Sequence, residues 1–584
     1  MKRFGKFLAN IGIVLLVLVA IIAAAGFWFV RRPWPEVRGD IKAPGLTAVV
    51  EVIRDEWGVP HIYAQNEHDL FFAQGYVHAQ DRLWQMEFNR RIASGTLSAI
   101  LGDATLDTDR FMRTIGLRRA AEKDWALSDG ETRDALQAYA DGVNAFIEDN
   151  LKRLPLEFTI LGTEPEPWTP VDTLAWGKVM SYFLCGNYES ELLRARLIAG
   201  LGQEAAQELM LPYPEEGPFI VPPEALNYSW LRDGEFAKLD AAAFAVGTPH
   251  SDWGSNNWVV HGSRTATGLP LLADDMHLGL EMPAVWYENA LHGGDFNSVG
   301  YSFPGVPMII VGHNERIAWA VTNLPSDVQD LYIEKFDNHV HPTQYEFQGD
   351  WKDLEVLYET IEVKGKSPVT IRVLRTQHGP IMNPVLGSLP SAEPLALKWT
   401  ALEGTYLFRA VHGINLATNW DEFRQALTYW DAPSQNFIYA DIEGNIGYQS
   451  PGKIPIRADG HQGSVPVPGW TGEYEWQGFI PFDELPRTYN PPAGFIATAN
   501  NKVVTDDYPY RLTDDWSAPY RVQRIVDLLS ADDDITIEDM RNIHAQTYSL
   551  PAEALRPYLL AAEPGEGLEA QTLELFGAWD LYNE

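Results

Sequence analysis

The chain holds one cysteine, Cys185, among 584 residues. A single thiol excludes an intramolecular disulfide and any metal site built from several cysteines. Alone, it reads either as a nucleophile or as a buried packing side chain, the commoner case. Basic residues are scarce as well: 44 Lys and Arg stand against 80 Asp and Glu, a net charge of −36. That balance excludes a general nucleic-acid binder, which needs clustered Lys and Arg to neutralise phosphate. It also disfavours docking on anionic lipid. Common catalytic signatures are missing. There is no H-E-x-x-H zinc helix and no G-x-S-x-G nucleophile elbow. Gly447 to Lys453 follows a phosphate-binding loop until Ile454, which stands where Ser or Thr must meet magnesium. We read that match as chance. The 14 histidines are scattered, with no liganding pair on one helix face. Carboxylate pairs such as Asp274-Asp275, Asp506-Asp507 and Asp514-Asp515 read as solvated turns in so acidic a chain.

What is present is a folded, globular composition: 46% apolar residues, with 20 Trp, 24 Tyr and 25 Phe. A chain this long buries a large core without disulfide or metal staples. Lys2, Arg3 and Lys6 precede an uncharged run from Ile11 to Val30, and Arg31 and Arg32 follow it. The run is long enough to span a bilayer as a helix. It exceeds the ~7–15 residue core of most signal peptides, yet Ala23-Ala24-Ala25 resembles a cleavage site. Residues 1–32 are therefore expected to be either a cleaved signal peptide or an uncleaved anchor. Both export the remainder and keep the basic N-terminus inside. A bacterial periplasm fits, since disulfides are allowed there but not required. Membrane contact is expected only through residues 11–30.

Short strand patterns occupy 47–62, and a helical pattern covers 67–93. Further helical patterns run through about 119–152 and 170–210. Residues 212–254 carry Pro212, Pro214, Pro218, Pro222, Pro223 and Pro249 with little periodicity, as a linker does. After Ser255 come short strand-like runs: Trp258 to Val260, Val306 to Val311, Thr360 to Val363, Val369 to Leu374 and Phe437 to Ala440. Helical patterns return at 419–430, 518–530 and 536–547. The order is a largely helical part (33–211), a linker (212–254) and a strand-rich part (255–584), an α+β organisation.

Gly254-Ser255-Asn256-Asn257-Trp258-Val259-Val260 lies where the linker ends. On its residues it has two readings. One is a polar turn entering a strand. The other is a self-cleaving junction, in which the Ser255 hydroxyl attacks the Gly254 carbonyl and releases a new N-terminal serine. Its α-amino group, with an ordinary pKa of about 7.7–8.0, would then act as the general base. That chemistry needs no His or Asp partner, and Gly254 suits a strained turn.

The motifs along the chain resemble those of the penicillin acylases, of the N-terminal nucleophile hydrolase superfamily. Gly254 to Trp258, Ser263-Arg264-Thr265-Ala266-Thr267-Gly268 and Leu272-Ala273-Asp274-Asp275-Met276-His277-Leu278 are similar to the start of that family's β chain. Arg54 to Ile62 and Gly75 to Leu83 are similar to its α-chain opening. Phe303-Pro304-Gly305, Gly312-His313-Asn314, Tyr439-Ala440-Asp441, Gly444 to Tyr448 and Gly494 to Asn501 follow in family order.

The resemblance implies an αββα four-layer sandwich. It implies a precursor cut before Ser255 into α and β chains that stay associated, and hydrolysis of a small N-acyl amide through an acyl-enzyme on Ser255. The oxyanion donors would be the Asn500 side chain and the Asn323 backbone N–H, with Asn501 as the alternative if the register slips by one. Arg521 would support the catalytic amide. His277 occupies a place that is His in relatives acting on cephalosporins or acyl-homoserine lactones. One structural calcium ion is implied, held by Glu191, Asp327 and Asp330 with the carbonyls of Gln329 and Gly463. Oxygen-only donors suit that ion. No organic cofactor is implied.

The sequence departs from the family pattern at the acyl pocket, where Leu278 replaces a Phe. Ser181, Tyr182 and Cys185 stand nearby, so an aliphatic acyl group is expected. Relatives continue well past the position of Glu584, and a continuation is expected here. Two other readings stay open: a non-catalytic envelope binding protein on the same fold, and a conventional Ser-His-Asp hydrolase.

Overall fold

The structure is a computed structural model that describes residues 2–209, 213, 214, 217, 218, 254–386, 393–562, 565 and 567–583. The expected linker thus lies almost wholly outside the described residues. Helix α1 (Lys2–Arg31) contains a segment, Asn10–Arg31, with a mean hydropathy of 3.0 and an exposed surface. Among the described residues it is the one helix long and apolar enough to cross a membrane. Helix α2 (Glu67–Ser94) starts where the Asn66 side chain accepts the Asp69 N–H at 2.9 Å. It ends at Gly95, whose φ of 60° is left-handed. The helical stretch expected near 119–152 is two helices, Leu117–Leu127 and Gly130–Asn150. Asp129 caps the second by accepting the Thr132 N–H at 2.9 Å. Thr169 and Asp172 cap each other at the start of helix Pro170–Leu184.

Nine strands are needed to describe the site: β1 (Glu51–Arg54), β2 (Pro60–Ala64), β3 (Gly254–Val260), β4 (Leu271–His277), β5 (Tyr287–Gly293), β6 (Phe296–Ser302), β7 (Val311–His313), β8 (Ile317–Asn323) and β9 (Gln329–Ile333). A nine-stranded sheet runs β1-β2-β5-β6-β7-β8 and continues through Gln435–Asp441, Ile446–Gln449 and Arg487–Tyr489. Its neighbours are antiparallel except β2 and β5, which are parallel. A smaller sheet has β3 between Phe495–Thr498 and β4. β3 and β4 contact β8 across the space between the sheets. Helix α2 lies over the large sheet with Gly130–Asn150 packed against it, and Tyr520–Ser530 and Ile537–His544 cover the small one. The result is the αββα layering that the resemblance implied.

Alternation along each strand assigns its side chains to layers. Val259 joins the core between the sheets, while Trp258 and Val260 join the core under the outer helices. In the large sheet Ala320 and Ile438 face the space between the sheets. Trp319, Val321, Phe437 and Tyr439 face α2 and its neighbours. Ser255 has the parity of Val259, so it faces the large sheet. Two residues along, a buried polar chain crosses between the sheets. Thr498 bonds Asn257, Thr322 Oγ1 and Thr498 Oγ1 lie 2.7 Å apart, and Asn436 Nδ2 donates to Thr322 Oγ1 at 3.1 Å. Groups so buried are costly unless satisfied, so this chain fixes the register of β3 over β8.

Two expectations need correction. Val306 to Val311 is not a strand, apart from Val311 itself. Met308 has a φ of 73°, and its backbone N–H donates instead to the Gln74 side chain at 2.9 Å. Asp274-Asp275 is no solvated turn. Both lie in β4, and burial pushes the Asp274 carboxyl well above its usual range. The helix Leu407–Leu416 went unread in the sequence.

Gly75 and Gly142 let α2 and Gly130–Asn150 touch along their backbones. A Cβ on Gly75 would lie 2.1 Å from the Tyr139 carbonyl oxygen, and one on Gly142 would lie 1.8 Å from that of Phe72. Gly75→Ala and Gly142→Ala are each expected to destabilise by about 1–3 kcal/mol or more in urea unfolding. The double variant should cost less than the sum, because helices already pushed apart accommodate the second methyl. Full additivity would refute the shared contact.

Candidate active site

β3 begins at Gly254, and Ser255 is 5% exposed on its inner face. The Ser255 N–H donates to Asn500 Oδ1 at 2.9 Å, and its carbonyl accepts from Arg521 Nη1 at 2.8 Å. Arg521 Nη2 donates to the same Asn500 Oδ1 at 2.9 Å. Asn500 Nδ2 donates to the Asn323 carbonyl at 2.9 Å. Two donors converging on one atom fix that atom as the amide oxygen, so the amide nitrogen must face Asn323. A second N–H on that nitrogen is left for another acceptor. Asn500 reaches this position from a backbone φ of 62°, a left-handed conformation that Asn tolerates better than most residues. Asn501 points elsewhere, donating to the Lys502 carbonyl at 3.1 Å. The Asn323 side chain donates to the Leu184 carbonyl at 2.7 Å, pinning the end of β8 to the end of helix Pro170–Leu184.

In the β3–β4 ladder Gly254 pairs with His277. A Cβ on Gly254 would lie 2.4 Å from His277 Nε2, so any larger residue here would have to turn this imidazole aside. His277 Nδ1 lies 3.2 Å from the Asp275 carbonyl and 3.5 Å from its carboxylate. Asp275 also accepts from Asn256 Nδ2 at 3.0 Å. The His277 hydrogen bond, then that of Asn256, holds the Asp275 carboxyl below its ordinary value against the opposing effect of burial.

Two cavities meet at Ser255. The first, about 310 Å³, is lined by Tyr182, Cys185, Asn187, Ser326, Asn500 and Ser517 among others. The second is narrow and apolar, with Met180, Trp286, Phe303, Val306, Phe408 and Trp430 on its walls. Leu184, Ser255, Leu278 and Asn323 belong to both. Ser255, His277, Asn323, Asn500, Arg521, Leu278, Tyr182 and Cys185 are therefore brought together. Burial pushes the Cys185 thiol up to about 12, which leaves no thiolate near neutrality. Among the wall residues, Trp286, Phe303 and Trp430 were missed in the sequence. Their aromatic character is ordinary in so aromatic a chain, and only the fold gathers them.

Residues 49–584 match the penicillin amidase family. The chain belongs to that family. Penicillin acylase 2 proenzyme of Pseudomonas sp. strain SE83 is 35% identical over 557 residues, covering 94% of this chain and 70% of the relative. The acyl-homoserine lactone acylase QuiP of Pseudomonas aeruginosa is 32% identical over 513 residues, covering 85% of this chain and 60% of the relative. The solved thermostable penicillin G acylase from Alcaligenes faecalis, orthorhombic form, superposes with a TM-score of 0.50 at 30% identity, over 56% of this chain and 59% of that one. This penicillin amidase family chain thus spans 60–70% of the length of those two curated relatives.

The residues that the resemblance implied as calcium donors lie near one another, but their surroundings do not suit the ion. Glu191, Asp327 and Asp330 are buried around β9. Arg457 lies between the two aspartates. Its Nη2 donates to Asp327 Oδ1 at 2.7 Å, and its Nε lies 2.8 and 3.1 Å from the two Asp330 oxygens. The Gln329 carbonyl faces the Asn187 side-chain amide at 3.4 Å. Gly463, with a φ of 64°, comes so close that a Cβ would lie 2.5 Å from Asp327 Oδ2. Calcium asks for 6–8 oxygens at 2.3–2.6 Å. Here most of those oxygens already accept N–H donors. Among the described residues no group of three His, Cys, Asp or Glu is disposed to hold a metal ion.

The Asp275 shift gives a pH test. A depressed folded pKa contributes stability that is complete above the unfolded value of about 4 and is lost as pH falls through the folded value. Replacing His277 with Ala should move the Asp275 titration, followed by carboxyl-carbon NMR, up toward the ordinary value. The variant should then lose less stability than the parent between about pH 5 and pH 2. An unchanged Asp275 titration would count against the contact.

Proposed function

We propose that this chain is an exported amide acylase that matures by cutting itself before Ser255. The carrying observation is Ser255 itself, at the start of β3, where an apolar cavity and one of mixed lining meet under the Asn500 amide. In the precursor, Ser255 Oγ attacks the Gly254 carbonyl carbon. The Gly254–Ser255 C–N bond breaks, the acyl group passes to Oγ, and the freed nitrogen takes a proton. Water then cleaves the ester and leaves Ser255 with a free α-amino group. In turnover that amine accepts the Oγ proton as Oγ attacks the substrate's acyl carbon. The departing amine takes the proton, and water releases the acid from the acyl-enzyme.

The negative charge on the tetrahedral oxygen is met by the second Asn500 N–H and the Asn323 backbone N–H. Arg521 holds the Asn500 oxygen and so keeps its nitrogen turned inward. The apolar cavity suits an aliphatic or aromatic acyl chain, and the cavity of mixed lining suits the amine half. Penicillin-type amides and acyl-homoserine lactones are the substrate classes that the relatives' names supply. Loss of Gly254 empties the space opposite His277, which then faces the substrate's amine side. Helix α1 serves as signal or anchor and puts the enzyme in the periplasm.

Mass spectrometry of the purified protein should find a chain beginning at Ser255. Ser255→Ala should stay intact, and normal cutting in that variant would end the proposal. Gly254→Val should also block cutting, since the side chain collides with His277. In cleaved protein, Asn500→Ala should lower kcat for N-acyl amide hydrolysis by about 10²–10³ with KM little changed.

A further inference from the structure

The buried carboxylates beside the site pose a question that the acylase reading leaves open. Glu191, Asp327 and Asp330 sit in the protein interior, at 0%, 3% and 0% exposure. Isolated charges at such depth are prohibitive, so something must compensate them. A planar guanidinium can, because its donors point in several directions in one plane.

Arg457 does this in detail. Its side chain is 4% exposed. One nitrogen, Nη2, donates both to Asp327 Oδ1 at 2.7 Å and to the Asp327 carbonyl at 3.0 Å. Another, Nε, spans both oxygens of Asp330. Further groups close around the two aspartates, whereas Glu191 Oε1, buried beside them, meets no hydrogen-bond donor among the described residues. Asn187 Nδ2 donates to Asp327 Oδ1 at 2.6 Å, the Trp476 indole donates to Asp330 Oδ2, and His461 Nε2 lies 3.5 Å from Asp330 Oδ1. A second guanidinium, that of Arg511, lies 3.9 Å from Asp327 Oδ2. A divalent ion in contact with Asp327 and Asp330 would have to displace Arg457 and sit beside Arg511.

The geometry points to Arg457 as the built-in cation of this cluster, so that the protein needs no calcium to fold or to hold its site. Arg457 joins three stretches of chain that a metal would otherwise have to join. Asp327 follows β8 and Asn323, Asn187 follows helix Pro170–Leu184, and Arg457 ends the strand Pro455–Arg457. The inference does not depend on the acylase reading, because its readouts are metal content and thermal unfolding.

The full chain, purified without added calcium, should carry far less than one calcium per molecule by elemental analysis. Its Tm should be the same in EDTA and in millimolar calcium chloride. One tightly held calcium per chain, or a fall in Tm with EDTA, would overturn the inference. Arg457→Met keeps the aliphatic stem but strands the two aspartates, and should lower Tm by about 5 °C or more. Opening the cation's place should also make this variant take up calcium and regain part of its Tm with added calcium. An Arg457→Met protein with the parent's Tm, or with no response to calcium, would show that Arg457 does not occupy a cation's place. If Arg457→Met does not fold, the calcium content and EDTA response of the parent decide the matter, and Arg457→Lys should lie between parent and Met in Tm.

Discussion

The amide of Asn500 holds the two sheets together where it matters. Its oxygen takes the Ser255 N–H from β3 and a guanidinium N–H from Arg521, and its nitrogen reaches back to the end of β8. Ser255, Arg521 and Asn323 come from three separate elements; Arg521 also bonds the Ser255 carbonyl directly, and the amide ties Asn323 to both. Remove the amide and the buried Ser255 N–H loses its acceptor, and an unsatisfied group of that kind costs about 1–3 kcal/mol. The left-handed backbone at Asn500 is tolerable because these bonds over-determine it. A local strain is thus maintained by long-range order, and the order in turn by the polar chain from Asn257 through Thr498 and Thr322 to Asn436.

A second layer of buried polarity supports the first from behind. Arg457, Asp327 and Asp330 fix the turn that follows Asn323, and the Asn323 side chain fixes the end of helix Pro170–Leu184, whose last residues line both cavities. The position of one backbone N–H at the end of β8 therefore rests on an ion cluster several residues further along. Dry charged groups transmit small displacements well, since their geometry has few acceptable alternatives.

Much of this was legible in the sequence, and the failures have identifiable causes. Helix α2 was legible from the apolar pattern over 67–93, a signal that acts locally; its caps, Asn66 and Gly95, came from the structure. Ser255 stood out in the sequence because its motif is made of adjacent residues, and the structure puts it where the two cavities meet. Val306 to Val311 was misread because an apolar run carries no mark of the hydrogen bonds its backbone will make, and here Gln74 supplies them from a distant helix. Asp274-Asp275 was misread because a charged pair looks solvated until alternation turns one carboxyl inward. Leu407–Leu416 has a glycine at Gly413, a poor helix residue that pays off only where Ala426 packs against it. The carboxylates Glu191, Asp327 and Asp330 lie around β9. What stands among them, Arg457, lies far along the chain, and only the folded arrangement brings it there.

The large sheet is sewn from both sides of the segment 212–253. β1 and β2 come from before it, the other strands from after it, and the join is the parallel ladder that pairs His61 to Ala64 with Ala290 to Gly293. Helix α2 packs over the same seam. Any break in that segment leaves two polypeptides that share one core and one continuous hydrogen-bonded surface. Separating them would bare a strand edge and a face of the core together, so dissociation and unfolding would be one event. Such a pair behaves as an obligate complex formed by a single folding reaction. The seam also depends on contacts very distant along the chain, which close late and slowly. The molecule's persistence, once folded, is then a matter of kinetic barrier as much as of equilibrium.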